Sequence, residues 1–457
     1  MARAGGGVAA CGRRPPRAPV ASGCAHEGGV VRVTTSAPTQ ESAPPRPPAP
    51  PARRAAALLV LVLGALTATG PLATDLYLPA FPQIAADLGA PQAQIQLTLT
   101  AIMLGLALGQ LLIGPLSDAL GRRGPLLAGL AVFTLTSFLC ALVDSAPLLI
   151  GLRFVQGVAG AAGAVIARAV VRDLFEGDDA ARFFSRLMLV TGLAPLLGPV
   201  MGAQLLRLGP WQLSFVVLGA AALASLVVVV FGLPESLPRE RRAELNLARL
   251  GATAGRLVRD AAFAGPALTL GLSFGMMFTY ISSFSFVSQS EFGASGQQFA
   301  LIFAVNTLGL MAGTQVNALL IGRVETSRRL AAGLAGALVS VAVLGALAVG
   351  GPAGAGALVA LTAVFFVMMF SVGFVFPNAT TLAISSQPAS VAGTASALMG
   401  SLQFALGGGV SSLAGLTATG EPSLASMAVV MGGVGVAAAL AFAVTARWSR
   451  RAAAKVR

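Results

Sequence analysis

Apolar runs of about 20 residues, separated by short polar loops, recur along most of the chain. A helix needs about 20 apolar residues to cross the hydrocarbon core of a bilayer, which is about 30 Å thick. Within that core, a helix satisfies its own backbone hydrogen bonds. The pattern therefore predicts an all-α membrane protein with twelve spanning helices, at residues 55–78, 94–116, 125–143, 147–169, 184–206, 211–233, 264–288, 298–321, 330–350, 354–377, 391–417 and 424–446.

A basic segment at residues 234–262 divides these helices into two sets of six. Two six-helix halves, 55–233 and 263–446, are the plan of transporters built from parallel repeats, whose substrate site lies between the halves near the midplane. The connecting segment is moderately amphipathic, which leaves a surface-lying helix and a solvated linker as alternatives. Residues 1–54 are rich in Ala, Pro, Gly and Arg and are predicted to be a disordered cytoplasmic tail, and residues 447–457 a short basic tail.

Charged residues are few, and the excess positive charge lies mainly in loops and tails. Only 10% of the residues are charged, and the net charge is +13. Basic residues spread over short loops do not form a nucleic-acid-binding face, so no nucleic-acid partner is expected. Between residues 53 and 451, a cytoplasmic amino terminus places twenty arginines on the cytoplasmic side and only Arg207 on the other. The positive-inside rule thus predicts two cytoplasmic termini, in a multi-pass protein of a bacterial cytoplasmic membrane.

Residues suited to metal or covalent chemistry are scarce in the predicted helices. Cys11, Cys24 and His26 lie in the amino-terminal tail, and Cys140 lies in an apolar run. This placement predicts no disulfide framework, no metal site and no histidine proton relay, and we expect no cofactor. A membrane enzyme would need a nucleophile–base pair or a metal cluster, and a sensor would need a soluble signalling domain. The sequence favours neither class.

Two charged residues stand out because they lie well inside predicted helices, where charges are rare and usually functional. Asp75 lies near the outer end of the first helix, and Arg153 lies about two turns into the fourth. These helices run in opposite directions, so the two charges can reach similar depth and pair, directly or through water. A carboxylate balanced between desolvation and a nearby cation can load and release a proton. We expect proton coupling at this pair; the alternative is that Asp75 only caps a helix end in water.

The loop between the second and third helices concentrates glycine and charge. Gly121 allows a left-handed turn after the helix, and Arg122 and Arg123 neutralise the carbonyl end of that helix. Asp118 is unfavourable at a helix carboxyl end, so it is expected to face an arginine or the amino end of another helix. Together with Gly114, these residues are predicted to form a structural latch.

The segment from Gly192 to Gly202 combines three glycines with Pro195 and Pro199 in eleven residues. A membrane tolerates such a cluster, because neighbouring groups can satisfy the freed backbone hydrogen bonds. Glycines such as Gly198 also let two helix backbones approach closely. We expect a kinked helix packed tightly against a neighbour; the alternative is generic packing of small residues.

The second half has no charged residue inside its predicted helices, so its share of a substrate cavity is expected to be polar or aromatic. Aromatic faces hold cations and flat apolar rings without strict geometry, which suits a broad specificity. A packing role is the alternative for each candidate. Together with one tyrosine of the first half, the candidates for binding substrate are Tyr77, Tyr280, Phe284, Asn306, Phe374, Asn378 and Gln403.

Three of these stretches resemble motifs of the major facilitator superfamily. Residues 114–123 resemble its motif between helices 2 and 3, with Ala119 where an arginine is usual. The stretch Leu152-Arg153-Phe154-Val155-Gln156-Gly157 resembles the helix 4 motif, whose arginine is associated with proton coupling. Residues 192–202 resemble the helix 5 motif of drug–proton antiporters.

Finer matches resemble the bicyclomycin/chloramphenicol-resistance (Bcr/CflA) subfamily, at residues 74–80, 167–173, 280–283 and 376–380. This resemblance implies the major facilitator fold and alternating access in a lipid bilayer. It also implies a monomeric antiporter that exports drug-like small molecules in exchange for protons, with Asp75 as the proton carrier. The alternative with the same fold is an exporter of a metabolite such as an amino acid or a sugar.

Overall fold

The structure is a computed structural model that describes residues 53–175, 177–351, 354–388, 391–417 and 421–456. These residues contain twelve helical segments long and apolar enough to cross a bilayer, and they contain no β-strand. The all-α prediction is therefore confirmed. The helices are α1 (Arg53–Asp75), α2 (Phe81–Asp87), α3 (Gln92–Leu120), α4 (Arg123–Cys140), α5 (Ala146–Leu174), α6 (Gly177–Leu208), α7 (Gln212–Gly232), α8 (Leu247–Arg259), α9 (Ala261–Phe286), α10 (Gly296–Leu319), α11 (Thr326–Gly350), α12 (Gly354–Ser385), α13 (Ala392–Ser411) and α14 (Leu424–Val456).

The first spanning segment is broken, which corrects the single helix predicted at residues 55–78. α1 ends at Asp75, a 3-10 turn covers Leu78–Ala80, and α2 follows. Pro79 and Pro82 have no backbone N–H group, so neither can continue the hydrogen bonds of α1. The break leaves Asp75 at the end of a helix that stops inside the bundle.

Prolines elsewhere do not end their helices. α6 continues past Pro195 and Pro199, and α12 continues past Pro377 to Ser385, well beyond its predicted end. Neighbouring helices in a membrane can satisfy the carbonyl groups that a proline leaves free, so proline is a weak stop signal there.

The twelve segments form two six-helix halves, α1–α7 and α9–α14. The halves touch mainly through α3 with α13 and α6 with α10. The loops at one end of the bundle hold most of the loop arginines, and we call it the arginine-rich end. Its described residues include 120–123, 174–175, 177, 233–260, 319–326, 385–388 and 391–392. The other end, which we call the opposite end, includes the described residues 87–92, 140–146, 208–212, 291–296, 415–417 and 421–424.

The connector between the halves is partly helical. Its second part forms α8, which buries Leu257 and exposes Arg256 and Arg259. The helical alternative is therefore correct for residues 247–259.

The two predicted tails have different outcomes. The amino-terminal tail lies outside the described residues except for Arg53 and Arg54, which begin α1. At the carboxyl end, the predicted tail is helical, because α14 continues to Val456.

Candidate functional site

A deep cavity of about 200 Å³ lies between the two halves. Its wall is mostly apolar, and Asp75 is the one ionisable side chain among the described residues that line it. The first half contributes residues from α1, α3, α5 and α6, and the second half residues from α9, α10, α12 and α13. The cavity is therefore where the parallel-repeat plan places a substrate.

Asp75 is held where α1 ends. It is 4% exposed, and the Thr74 hydroxyl donates a hydrogen bond of 2.9 Å to its Oδ1. α6 packs against the same point, since a Cβ atom built on Gly198 would lie 2.9 Å from the Cβ of Asp75. The carboxylate is thus fixed between a helix break and a close helix contact, with access to the cavity.

Arg153 is fully buried on α5. Its guanidinium donates to the carbonyl oxygen of Ala73 at 2.5 Å and to Oε1 of Gln156 at 2.5 Å. The guanidinium carbon also lies 4.3 Å from the ring centroid of Tyr77 and 5.5 Å from that of Phe215. Neutral groups therefore hold this cation, and its Nε has no hydrogen-bond partner in the described structure.

Asp75 and Arg153 come close in depth, but these two side chains form no ion pair in this conformation. Arg153 instead binds the backbone of Ala73, two residues before the carboxylate. The predicted similarity of depth is thus consistent with the geometry, and the predicted direct pair is not formed here. In this conformation the ring of Tyr77, which follows α1, lies against the guanidinium.

The glycine- and proline-rich stretch packs tightly against α1 only in its second part. A Cβ atom on Gly202 would collide with the carbonyl oxygen of Leu76, and one on Gly198 would crowd Asp75. A Cβ atom on Gly192 would meet nothing within 4 Å. The predicted close approach therefore holds at Gly198 and Gly202, and Gly192 takes no part in it.

The predicted latch lies at the arginine-rich end. Arg122 forms ion pairs with Asp118 and, at 2.9 Å, with Asp173 of α5, and it donates to the Ser117 hydroxyl at 2.9 Å. Gly121 has a φ of 96°, in the left-handed region that glycine favours. Asp118 thus faces an arginine, which was one of its two expected partners.

A partner that the sequence did not indicate is Glu235, in the connector. Its carboxylate accepts hydrogen bonds from the backbone N–H groups of Arg122, Arg123 and Leu237, at 2.8, 3.2 and 3.0 Å. Partial burial raises the pKa of Glu235, but these N–H donors and Arg242 outweigh it and hold the pKa below its ordinary value. The latch therefore joins α3, α5 and the connector.

None of the seven predicted substrate-binding side chains lines the deep cavity in this conformation. Tyr280 accepts a hydrogen bond of 2.8 Å from Asn306 and packs on Phe365, with 4.4 Å between ring centroids. Asn378 donates to Asn317, and Tyr77 hydrogen-bonds Thr98. The cavity is lined by other residues, so these placements correspond to the packing alternative. The seven are Tyr77, Tyr280, Phe284, Asn306, Phe374, Asn378 and Gln403.

Four of the side chains that line the cavity form a helical stripe on α9. They are Phe274, Met277, Phe278 and Ile281. Their spacing of three or four residues puts them on one face of the helix, and Tyr280 and Phe284 lie about a quarter turn to the side. This apolar spacing was visible in the sequence and could have identified the wall.

Hydrogen bonds between the two halves cluster toward the opposite end. Gln96 donates to Ser283 Oγ at 3.1 Å, Ser285 donates to the Leu78 carbonyl at 2.5 Å, and Gln297 donates to the Ala203 carbonyl at 3.3 Å. At the arginine-rich end a second cavity, of about 510 Å³, lies between the halves and shares Gln110 with the deep cavity. The conformation is therefore closed at the opposite end, and its cavities lead toward the arginine-rich end.

Comparisons with known proteins agree with this architecture. The chain is 38% identical over 387 residues to the MFS-type transporter YdgK of Bacillus subtilis (strain 168), which covers 84% of this chain and 94% of that one. It is 31% identical over 396 residues to a bicyclomycin resistance protein homolog of Haemophilus influenzae, covering 84% and 95% of the two chains. The crystal structure of a D-xylose-proton symporter superposes with a TM-score of 0.65 at 18% identity, over 85% of this chain and 97% of that one.

The family comparison covers most of the bundle. The family model described as Major Facilitator Superfamily matches residues 61–412, which run from within α1 to the end of α13 and include the connector. Together with the twelve spanning helices and the cavity between the halves, this match shows a transporter rather than an enzyme. The chain belongs to the Major Facilitator Superfamily.

Proposed function

We propose that this transporter is a proton-coupled antiporter that exports drug-like small molecules by alternating access. The observation that carries the proposal is the position of Asp75, the one ionisable residue among the described residues that line the apolar cavity between the halves. The name of the bicyclomycin resistance protein homolog supports a drug-like substrate. A single chain supplies both walls of the cavity, so we propose that the monomer is the transporting unit.

Asp75 and Arg153 couple the proton to the conformation. An unpaired charge is costly to bury, so a buried carboxylate is neutralised either by a proton or by a nearby cation. Arg153 lies close enough to serve as that cation, because it already binds the carbonyl of Ala73. Proton uptake by Asp75 then frees Arg153 for the neutral partners seen here, and proton loss favours the ion pair.

The direction of transport follows from the charge of the two ends. With the arginine-rich end in the cytoplasm of a bacterium, the present conformation is open inward. Substrate enters from the cytoplasm, and the protein then opens outward. Proton uptake by Asp75 from outside favours substrate release and the return, and proton release to the cytoplasm restores the affinity for substrate.

The test uses protein in liposomes that contain a pH-sensitive dye, with an imposed proton gradient and with bicyclomycin or chloramphenicol as the added drug. The comparison is wild type with Asp75→Asn, and Asp144→Asn is the control because Asp144 is exposed in a loop at the opposite end. We expect drug-dependent proton flux in wild type and in the control, and none in Asp75→Asn.

Equal flux in wild type and Asp75→Asn would place the proton site elsewhere. If neither drug produces flux in wild type, amino acids and sugars should be tested in the same liposomes, since flux with one of them would identify a metabolite exporter.

A further inference from the structure

Two arginines of α5, Arg168 and Arg172, line the second cavity at the arginine-rich end. They are four residues apart, so their side chains project from the same face of the helix and their like charges repel. Neither forms an ion pair with an acidic residue in the described part of the chain; Arg168 donates only to the carbonyl of Ala164, one turn earlier. Both residues are exposed in this conformation, so an anion that enters the cavity can reach both guanidinium groups.

The acidic group in the same cavity does not compensate these charges. Asp118 lines the cavity, but it is paired with Arg122, which also holds Asp173. Arg168 and Arg172 therefore leave the cavity with an excess of positive charge. A cation entering here would be repelled, whereas an anion would find two guanidinium groups.

The facing wall belongs to the other half and also favours an anion. Ala392, Gly393 and Thr394, the first residues of α13, line the cavity. The residue before them, Val391, has no side chain that can cap the helix, so the first N–H groups of α13 receive no side-chain acceptor from it. A helix amino terminus carries a partial positive charge, which adds to that of the arginines opposite.

We propose that the second cavity binds the anionic group of those transported molecules that carry one, a carboxylate or a phosphate. This inference rests on the proposed transport function and adds organic acids with an apolar body to its substrate classes, beside uncharged drugs, which occupy the deep cavity alone. Guanidinium groups form short, charge-assisted hydrogen bonds with both anions, often two per group. The apolar body of the same molecule fits the deep cavity, which Gln110 links to the second one.

The site also connects substrate binding with closure. Its arginines belong to the first half and the α13 amino terminus to the second, so a bound anion contacts both halves. An anion bridging these groups would offset the repulsion between them, which favours closure of the arginine-rich end around a loaded substrate.

The test measures equilibrium binding to the purified full-length protein in nanodiscs of phosphatidylcholine, without a proton gradient. Radiolabelled naphthylacetate and naphthyl phosphate are the anionic probes, and naphthylacetamide is the neutral probe of nearly the same shape. We expect each anion to bind wild type about tenfold more tightly than the amide, since hydrogen bonds to charged groups are the stronger ones. The double variant Arg168→Gln/Arg172→Gln should lose this preference and keep its affinity for the amide.

A matched control removes the same amount of charge from the same end. Arg256→Gln/Arg259→Gln changes two exposed arginines of α8 that do not line the cavity, so the preference for anions should remain. Retained binding of the amide shows that each variant is folded, and the wild-type comparison of acid with amide needs no variant.

Three results would overturn the proposal: equal affinity of wild type for anion and amide, an undiminished preference in the α5 double variant, or the same loss in the α8 control. Loss of the preference in nanodiscs of phosphatidylglycerol would also overturn it, since the arginines would then bind a lipid headgroup. Asp75→Asn should bind the anions normally, which separates this test from that of proton coupling.

Discussion

The guanidinium of Arg153 lies over the ring of Tyr77, with 4.3 Å between its central carbon and the ring centroid. Both side chains are essentially inaccessible to solvent. Tyr77 follows the end of α1, and Arg153 lies on α5, so their contact joins the broken end of α1 to α5. A buried cation is thus stabilised by a π face and by carbonyl oxygens rather than by a carboxylate.

Replacing the Tyr77 ring should weaken this arrangement. Tyr77→Leu removes the cation–π contact and the aromatic contact with Phe81, and we expect a loss of roughly 1–3 kcal/mol of stability. Tyr77→Phe keeps the ring and loses only the hydrogen bond to Thr98, whose hydroxyl still donates to the carbonyl of Ile95. Thermal unfolding in detergent should therefore place Tyr77→Phe near wild type, and similar losses in both variants would show that the hydroxyl matters instead of the ring.

The close contact of α6 with the broken end of α1 gives a second prediction. In Gly202→Ala the new methyl group would collide with the backbone carbonyl of Leu76, which cannot rotate away as a side chain could. We expect a destabilisation of about 1–3 kcal/mol, typical of overpacking, and a proton leak across liposomes without drug.

The matched control for this contact is Gly192→Ala, in the same helix. Its methyl group would meet nothing within 4 Å, and alanine is the better helix former, so stability should stay the same or rise slightly. If both variants unfold at the wild-type temperature and neither leaks protons, the close contact has no role in sealing the transporter.

Helix positions were readable from the sequence because apolar runs of membrane length have few other solutions. The predictions that the structure corrects, such as a single helix at residues 55–78, concern features that depend on contacts between distant residues. The break after Asp75 arises from two prolines whose effect differs from that of Pro195 and Pro199, which lie inside an unbroken helix. Sequence alone does not say whether neighbouring groups satisfy the backbone around a given proline.

The candidate site was predictable only in part. Asp75 stood out because a carboxylate is rare in an apolar run, and it lines the cavity. The seven predicted substrate contacts, which were chosen residue by residue for polarity and aromaticity, lie outside the cavity wall in this conformation. The Tyr280 hydroxyl accepts a hydrogen bond from Asn306 outside the cavity wall. The apolar face of α9 that includes Phe278 lines the cavity instead.

The latch gives a pH-dependent prediction. Backbone N–H donors hold the pKa of Glu235 below its ordinary value of 4.5, so the ionised carboxylate stabilises the folded state. This contribution is complete above pH 4.5 and is lost as the pH falls through the lowered folded-state pKa. Because the Glu235 side chain keeps 29% of its surface exposed, solvent screens it, and the contribution should stay below about 1 kcal/mol.

The measurement compares the unfolding temperatures of wild type and Glu235→Gln between neutral and acidic pH. Wild type should be the more stable at neutral pH, and the difference should shrink as the pH falls below 4.5. Glu325→Gln is the control. The Glu325 carboxylate lies 3.9 Å from Nε of Arg328, and both side chains are exposed, so this ion pair should contribute little to stability. A difference that does not change with pH would mean that the carboxylate charge is not what holds the connector.

Phe278, in the stripe on α9, and Phe284, outside it, allow substrate binding to be tested separately from packing. Phe278→Ala removes an aromatic ring from the wall of the deep cavity. The drug then loses an apolar contact surface, so chloramphenicol binding should weaken by about tenfold. Phe284→Ala empties a packed position against Phe365 outside the cavity wall, so it should cost about 3–5 kcal/mol of stability. The fraction of Phe284→Ala protein that remains folded should bind the drug with the affinity of wild type. Equilibrium binding and thermal unfolding of both variants test this division, and weaker binding in Phe284→Ala with normal stability would return Phe284 to the substrate site.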